Sequence, residues 1–288
     1  MKPYLLFPFG FKIIGFILLV PGFILAYSYF FQNYTWTSAG NRSPVGFYGP
    51  GSYSFIDESA TTFITVGLLF IGFSKLRNER GTVHKLRLKA LYWAVIINCL
   101  WITLLWILYV LRDLTNISLL RHLNIFITVV YNLFVLLFLF IARFYYLLYK
   151  YGKSKRSPAL RFLPYLPYNL IGKTGVAVAV LIAFAAAFIK IDDKYSLYMY
   201  LLPVFFLLWI SSWSKRQSEL STIIRLKAMQ IAVYINYALF IMATWLFYDI
   251  NYLFALFFGL LSLQITFLIT YYVMIYRASK VVGLFNMG

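Results

Sequence analysis

Few side chains in this chain are of a type that could carry out covalent or proton-transfer chemistry, and their spacing keeps them apart. One long apolar run separates the two histidines, so His84 is expected on the inner side of a membrane and His122 on the outer side. They cannot meet at one haem or one metal ion. Cys99, the only cysteine, lies within an apolar run with no histidine at its depth to activate it, and a single thiol forms no intramolecular disulfide. No HExxH sequence is present, and all eight acids fall between apolar runs or at their ends. Carboxylates and histidines inside a bilayer usually mark proton or ion pathways. Their scarcity here points away from hydrolysis and from proton-coupled transport, and the expectation is a non-enzymatic protein with no cofactor and no catalytic or metal-binding residues.

The polar groups left inside the apolar runs are neutral: Asn98, Asn132, Asn236, Gln264 and several threonines such as Thr103, Thr128, Thr244 and Thr266. Hydroxyl bonding back to the preceding turn accounts for most of the threonines. The asparagines are more informative, because two of them end a repeated stretch. RLKALYWAVIIN at residues 87–98 returns as RLKAMQIAVYIN at residues 225–236, identical at eight of twelve positions. Each copy sets two alanines and the asparagine four residues apart: Ala90, Ala94 and Asn98, then Ala228, Ala232 and Asn236. At 3.6 residues per turn these share one stripe of a helix. Small residues on a stripe let helices approach closely in lipid, and an asparagine adds an interhelical hydrogen bond. The favoured reading is a packing seam. The functional alternative is one central polar site, with Asn98, Asn236, Ala94 and Ala232 as its candidates.

The elements that position these residues follow from composition. With 62% hydrophobic and 12% charged residues and a mean hydropathy of +0.80, the chain is far too apolar for a soluble globule. Apolar runs near residues 13–31, 59–75, 90–111, 123–145, 175–191, 195–213, 228–248 and 251–276 predict eight transmembrane helices. Pro21 and Pro203 are expected to kink the first and sixth. The net charge of +18 is distributed unevenly. With the N-terminus placed inside, the inner segments hold 21 cations against two acids, and the outer ones five cations against six acids. That is the positive-inside pattern, and it places both termini in the cytoplasm. No basic stretch is long enough to form a reading module, so nucleic acid is not an expected partner. The first run resembles a signal peptide with Ala26-Tyr27-Ser28 as a cleavage site, but the duplication requires it as a span.

The inner hairpins are rich in cations: Lys75, Arg77, Arg80, Arg87 and Lys89 in the first, and Lys215, Arg216, Arg225 and Lys227 in the second. They are candidates for a surface facing the anionic lipid of the inner leaflet. A docking surface for a cytoplasmic protein partner is the alternative. Further matches extend the repeat: Glu79 with Glu219, Ser74-Lys75 with Ser214-Lys215, Tyr145-Tyr146 with Tyr271-Tyr272, and a weaker one of FPFGFKIIG with LPYNLIGKTG. The predicted organisation is a four-span repeat over 1–150 with a long outer loop at 32–58, a basic cytoplasmic linker at 151–159, and a second four-span repeat over 160–288. Even numbers of spans make the repeats parallel, related by a pseudo-twofold axis along the membrane normal. The outer loop, with SAGNRSPVGFYGPGSYSF, is the largest departure from the repeat, and the second repeat has only IDDKYS in its place.

The pattern of Ser74 and Lys75, Glu79, Arg87-Leu88, Trp93-Ala94-Val95 and Asn98, with Glu219, Arg225-Leu226, Ala232-Val233-Tyr234 and Asn236 in the second copy, resembles a motif of uncharacterised bacterial integral membrane proteins built as single four-span units. Their hairpin is closer to SKEKxEDE, and this chain replaces most of those acids. The resemblance implies a multi-pass protein of a bacterial inner membrane and no particular activity. The leading functional expectation is a sensory or regulatory protein coupling an outer loop or a membrane state to a cytoplasmic partner. A passive transporter or channel for a small neutral or apolar solute comes second, and a lipid-modifying enzyme third.

Overall fold

A computed structural model of the protein describes residues 5–32, 37–38, 53–54, 56–77, 79, 81–115, 125–154, 160, 162–188, 201–213, 219–247 and 249–285. Among these are eight helices: α1 (Gly10–Gln32), α2 (Ile56–Phe73), α3 (Gly81–Thr115), α4 (Ile125–Ser154), α5 (Tyr168–Phe188), α6 (Leu202–Ser211), α7 (Glu219–Leu246) and α8 (Asp249–Phe285). Two short strands, β1 (Thr37–Ser38) and β2 (Tyr53–Ser54), pair antiparallel and draw the ends of the outer loop together. Of that loop, residues 33–36, 39–52 and 55 lie outside the described residues.

Four segments, Gly10–Ser28, Gly81–Leu105, Phe134–Lys153 and Glu219–Leu246, are long and apolar enough to cross a membrane, and the protein is a helical membrane protein. In α1, Ile17 is 63% exposed and Val20 60%, as side chains facing lipid are. Shorter apolar stretches are found at Glu58–Phe73, Tyr168–Ile182 and Leu202–Ser211. The sixth run is shorter as a described helix than the sequence predicts, and its proline does something else. Pro203 stands in the first turn of α6, where its missing N–H has no intrahelical partner to lose, so it starts the helix instead of kinking it. Pro21 lies inside α1.

The chain forms two compact units. The first gathers Met1–Ala90, Val129–Lys155 and Tyr234–Gly259, and the second gathers Leu91–Thr128, Arg156–Val233 and Leu260–Gly288. Four helices therefore contribute to both: α3 changes unit after Ala90, α4 after Thr128, α7 after Val233 and α8 after Gly259. Inside the first unit, α1 lies on α2 so closely that a Cβ on Gly15 would come 2.7 Å from the carbonyl oxygen of Gly67. Phe7, Phe70, Phe73, Phe140 and Tyr234 form its aromatic core, with Phe73 and Tyr234 rings 4.6 Å apart. In the second unit α5 lies on α6, and a Cβ on Gly172 would come 2.6 Å from the backbone nitrogen of Trp209. Glycine permits these contacts because nothing stands between the two backbones.

Candidate functional site

The residues before α1 and after α2 are tied by a short parallel bridge. Phe7 donates its N–H to Phe73 at 3.0 Å, and Lys75 donates to the Phe7 carbonyl at 2.9 Å. The C-terminal carbonyls of a helix have no partners within it. Arg87, in the second turn of α3, supplies donors to this end: Nη1 reaches the carbonyls of Gly72 at 2.8 Å and Ser74 at 2.7 Å. Its Nη2 donates to Glu79 Oε2 at 2.8 Å, and the same oxygen accepts from the Leu76 N–H at 2.9 Å. The Phe144 ring lies 4.6 Å from the guanidinium carbon. The side chains of Arg87 and Glu79 are 1% and 2% exposed, so this is a buried ion pair that also caps a helix.

The second unit contains a matching clamp. Leu163 donates to Ser211 at 2.9 Å, and Trp213 donates to the Leu163 carbonyl at 2.8 Å. Arg225, in the second turn of α7, donates through Nη2 to the carbonyls of Ile210 at 2.7 Å and Ser212 at 2.8 Å. One constant offset, the difference between 225 and 87, carries Gly72 to Ile210, Ser74 to Ser212 and Arg87 to Arg225. The pairing of Ser74-Lys75 with Ser214-Lys215 is thereby corrected: Ser212 and Trp213 make the corresponding backbone contacts. Glu219 does not correspond to Glu79 in role, since it is exposed at the start of α7 and no described carboxylate bonds Arg225. The constant offset carries Glu79 to Gln217, an amide that lies outside the described residues.

Beside Arg225 the second unit has a cavity of about 320 Å³, lined among others by Asn169, Lys173, Trp209, Tyr271 and Tyr272. The elements place these groups at one end of the unit, where α5 and α7 begin and α6 ends. Asn169 donates through Nδ2 to Ser212 Oγ at 2.9 Å, and Trp209 Nε1 donates to the Tyr272 hydroxyl at 3.2 Å. The Lys173 ammonium is 5.9 Å from the centre of the Trp209 ring. The guanidinium carbon of Arg225 is 4.8 Å from the Phe162 ring and 5.6 Å from that of Tyr271.

No protein-family model, curated protein or solved structure matches the chain.

The candidates named from the sequence separate into distinct groups. Ala94 and Asn98 are buried in the second unit's part of α3. Ala232 is buried in the second unit's part of α7, and Asn236, 9% exposed, belongs to the first unit. Among the cations, Arg77 is exposed, and Lys75, Lys89 and Lys227 are half-buried. Arg80, Lys215 and Arg216 lie outside the described residues. Arg87 and Arg225 do not belong to a lipid-facing or docking surface: they are 1% and 4% exposed, and the carbonyls at the ends of α2 and α6 hold them inside. Sequence reasoning missed Asn169, Lys173 and Trp209 as members of one site. No pattern joins them in the chain, because they meet only when α6 folds back on α5.

Proposed function

We propose that the protein is a non-enzymatic, multi-pass membrane protein that couples its outer loop, or a state of the membrane, to a cytoplasmic partner. The proposal takes the chain as eight spans in two parallel four-span repeats with both termini in the cytoplasm. It places the protein in a bacterial inner membrane, as the motif resemblance implies. The recurrence of the arginine clamp at one constant offset supports the repeat, and the 21 inner cations support the orientation.

One observation carries the coupling. Helix α3 holds Arg87 in the first unit and Asn98 in the second, and α7 holds Arg225 in the second and Asn236 in the first. Each motif helix thus has its first turns locked to the end of the preceding helix and runs on unbroken past the clamp, and the coupling we propose follows these two helices.

The test uses cysteines placed in a Cys99→Ser background at Arg77 and at Glu219, both exposed beside the clamps. Replacing residues 36–55 with a short Gly-Ser linker is expected to change their rate of modification by a soluble maleimide several-fold. Unchanged rates, together with faster uptake of glycerol by proteoliposomes than by empty vesicles, would favour a passive transporter.

A further inference from the structure

We propose that the cavity beside Arg225 is an anion site that takes the phosphate group of a membrane phospholipid. The first unit shows what this kind of arginine accepts. Arg87 and Arg225 make the same pair of carbonyl bonds, but Arg87 also has the carboxylate of Glu79 at 2.8 Å. A guanidinium does not lose its proton in a protein, so Arg225 brings a full charge into its buried position. Burying a charge is expensive unless an opposite charge and further hydrogen bonds accompany it. Two carbonyls supply hydrogen bonds and no charge.

Among the described residues no carboxylate meets Arg225, and the space beside it admits a partner from outside the chain. Its volume of about 320 Å³ is at the lower end of ligand sites, which run from roughly 300 Å³, and it accepts a phosphate with the atoms that carry it. No carboxylate is among its described lining residues, and Lys173 adds a second cation. Among the described residues, Arg225 Nε makes no hydrogen bond, and neither does Arg87 Nε, so the carboxylate is what separates the two arginines. The Tyr272 oxygen already accepts from Trp209 Nε1, so its own proton can be donated to a phosphate oxygen. Cations, a hydroxyl donor and an indole face around one space form a phosphate cradle.

A lipid is the favoured carrier because the same space is also lined by Phe267, Leu268 and Ile275, apolar side chains of α8 that suit the hydrocarbon attached to a lipid phosphate. The site adds to the regulatory reading and does not depend on it.

The experiment is native mass spectrometry of the full chain in a nonionic detergent, titrated separately with dioleoyl phosphatidylglycerol, dioleoylglycerol and inorganic phosphate. Lys173→Gln is the main variant, because Lys173 is half-buried and holds no helix end. Arg225→Gln removes the clamp as well as the charge, so it is used only if its circular dichroism matches that of the wild type. Phosphatidylglycerol is expected to bind at one preferred site, about tenfold more weakly in Lys173→Gln, with no change in Lys12→Gln of the first unit. Inorganic phosphate that binds with the same dependence on Lys173 would support the anion site and make the free ion its source. Equal binding of dioleoylglycerol, which has the tails and no phosphate, would overturn the proposal. So would phosphatidylglycerol binding that Lys173→Gln leaves unaltered, or no binding of any probe.

Discussion

Glu79→Gln is expected to be among the most destabilising single changes in the chain. It leaves Arg87, 1% exposed, with its two carbonyls and no counter-charge. Removing one partner of a buried ion pair typically costs about 3–5 kcal/mol, because the remaining charge stays desolvated. Arg87→Met in the same background removes that charge and keeps much of the contact with Phe144, so the double variant should recover part of the loss. Unfolding in a denaturant series at fixed detergent concentration measures both. Equal stability of Glu79→Gln and wild type would mean that the carboxylate contributes nothing to the clamp. Glu219→Gln, at an exposed position, serves as the control and should change stability by less than about 0.5 kcal/mol.

The second large effect is expected where helices touch through glycine. In Gly172→Ala the new methyl would meet the Trp209 backbone nitrogen at 2.6 Å and the Phe205 carbonyl oxygen at 2.9 Å. In Gly15→Ala it would meet the Gly67 carbonyl oxygen at 2.7 Å. Backbone atoms cannot rotate away as a side-chain tip can, so the helices must separate. Each variant should lose about 1–3 kcal/mol, the usual cost of overpacking. Gly152→Ala, with no atom within 4 Å of the new Cβ, should instead be neutral or gain up to about 1 kcal/mol from the helix propensity of alanine. Similar behaviour at all three positions would show that the close approaches of α1 to α2 and of α5 to α6 are not constraints on the fold.

The membrane character and the motif helices were legible in the sequence because they depend on local composition and period. The runs near 13–31, 90–111 and 228–248 fall within α1, α3 and, for all but its end, α7, whose last residue is Leu246. The arginines were misplaced for a physical reason. A cation at the inner end of a span usually extends its head towards water or lipid phosphate. Here the unpaired carbonyls of the preceding helix stand within reach and compete for it. Nothing in the short stretch around Arg87 announces Gly72 or Ser74. The duplication does: the same offset that aligns the two RLKA stretches also aligns the carbonyls they bind. The dipeptide Ser214-Lys215 drew the alignment off by two residues, since identity of residue type outweighed constancy of spacing. The cavity was not legible, because its walls come from α5, α6, α7 and α8, and only the folded chain brings them together. Gly172 and Gly175 carried part of the signal as small residues near the start of a span.

The central claim is that the two clamps belong to parallel repeats and stand at the same face of the membrane. Single cysteines at Arg77, beside the first clamp, and at Glu219, beside the second, in a Cys99→Ser background, test it in intact cells or sealed right-side-out vesicles. An impermeant maleimide should leave both unlabelled until the membrane is opened, and should then label both. Labelling of one from outside and the other only from inside would contradict parallel repeats, and labelling of both from outside would reverse the assigned orientation.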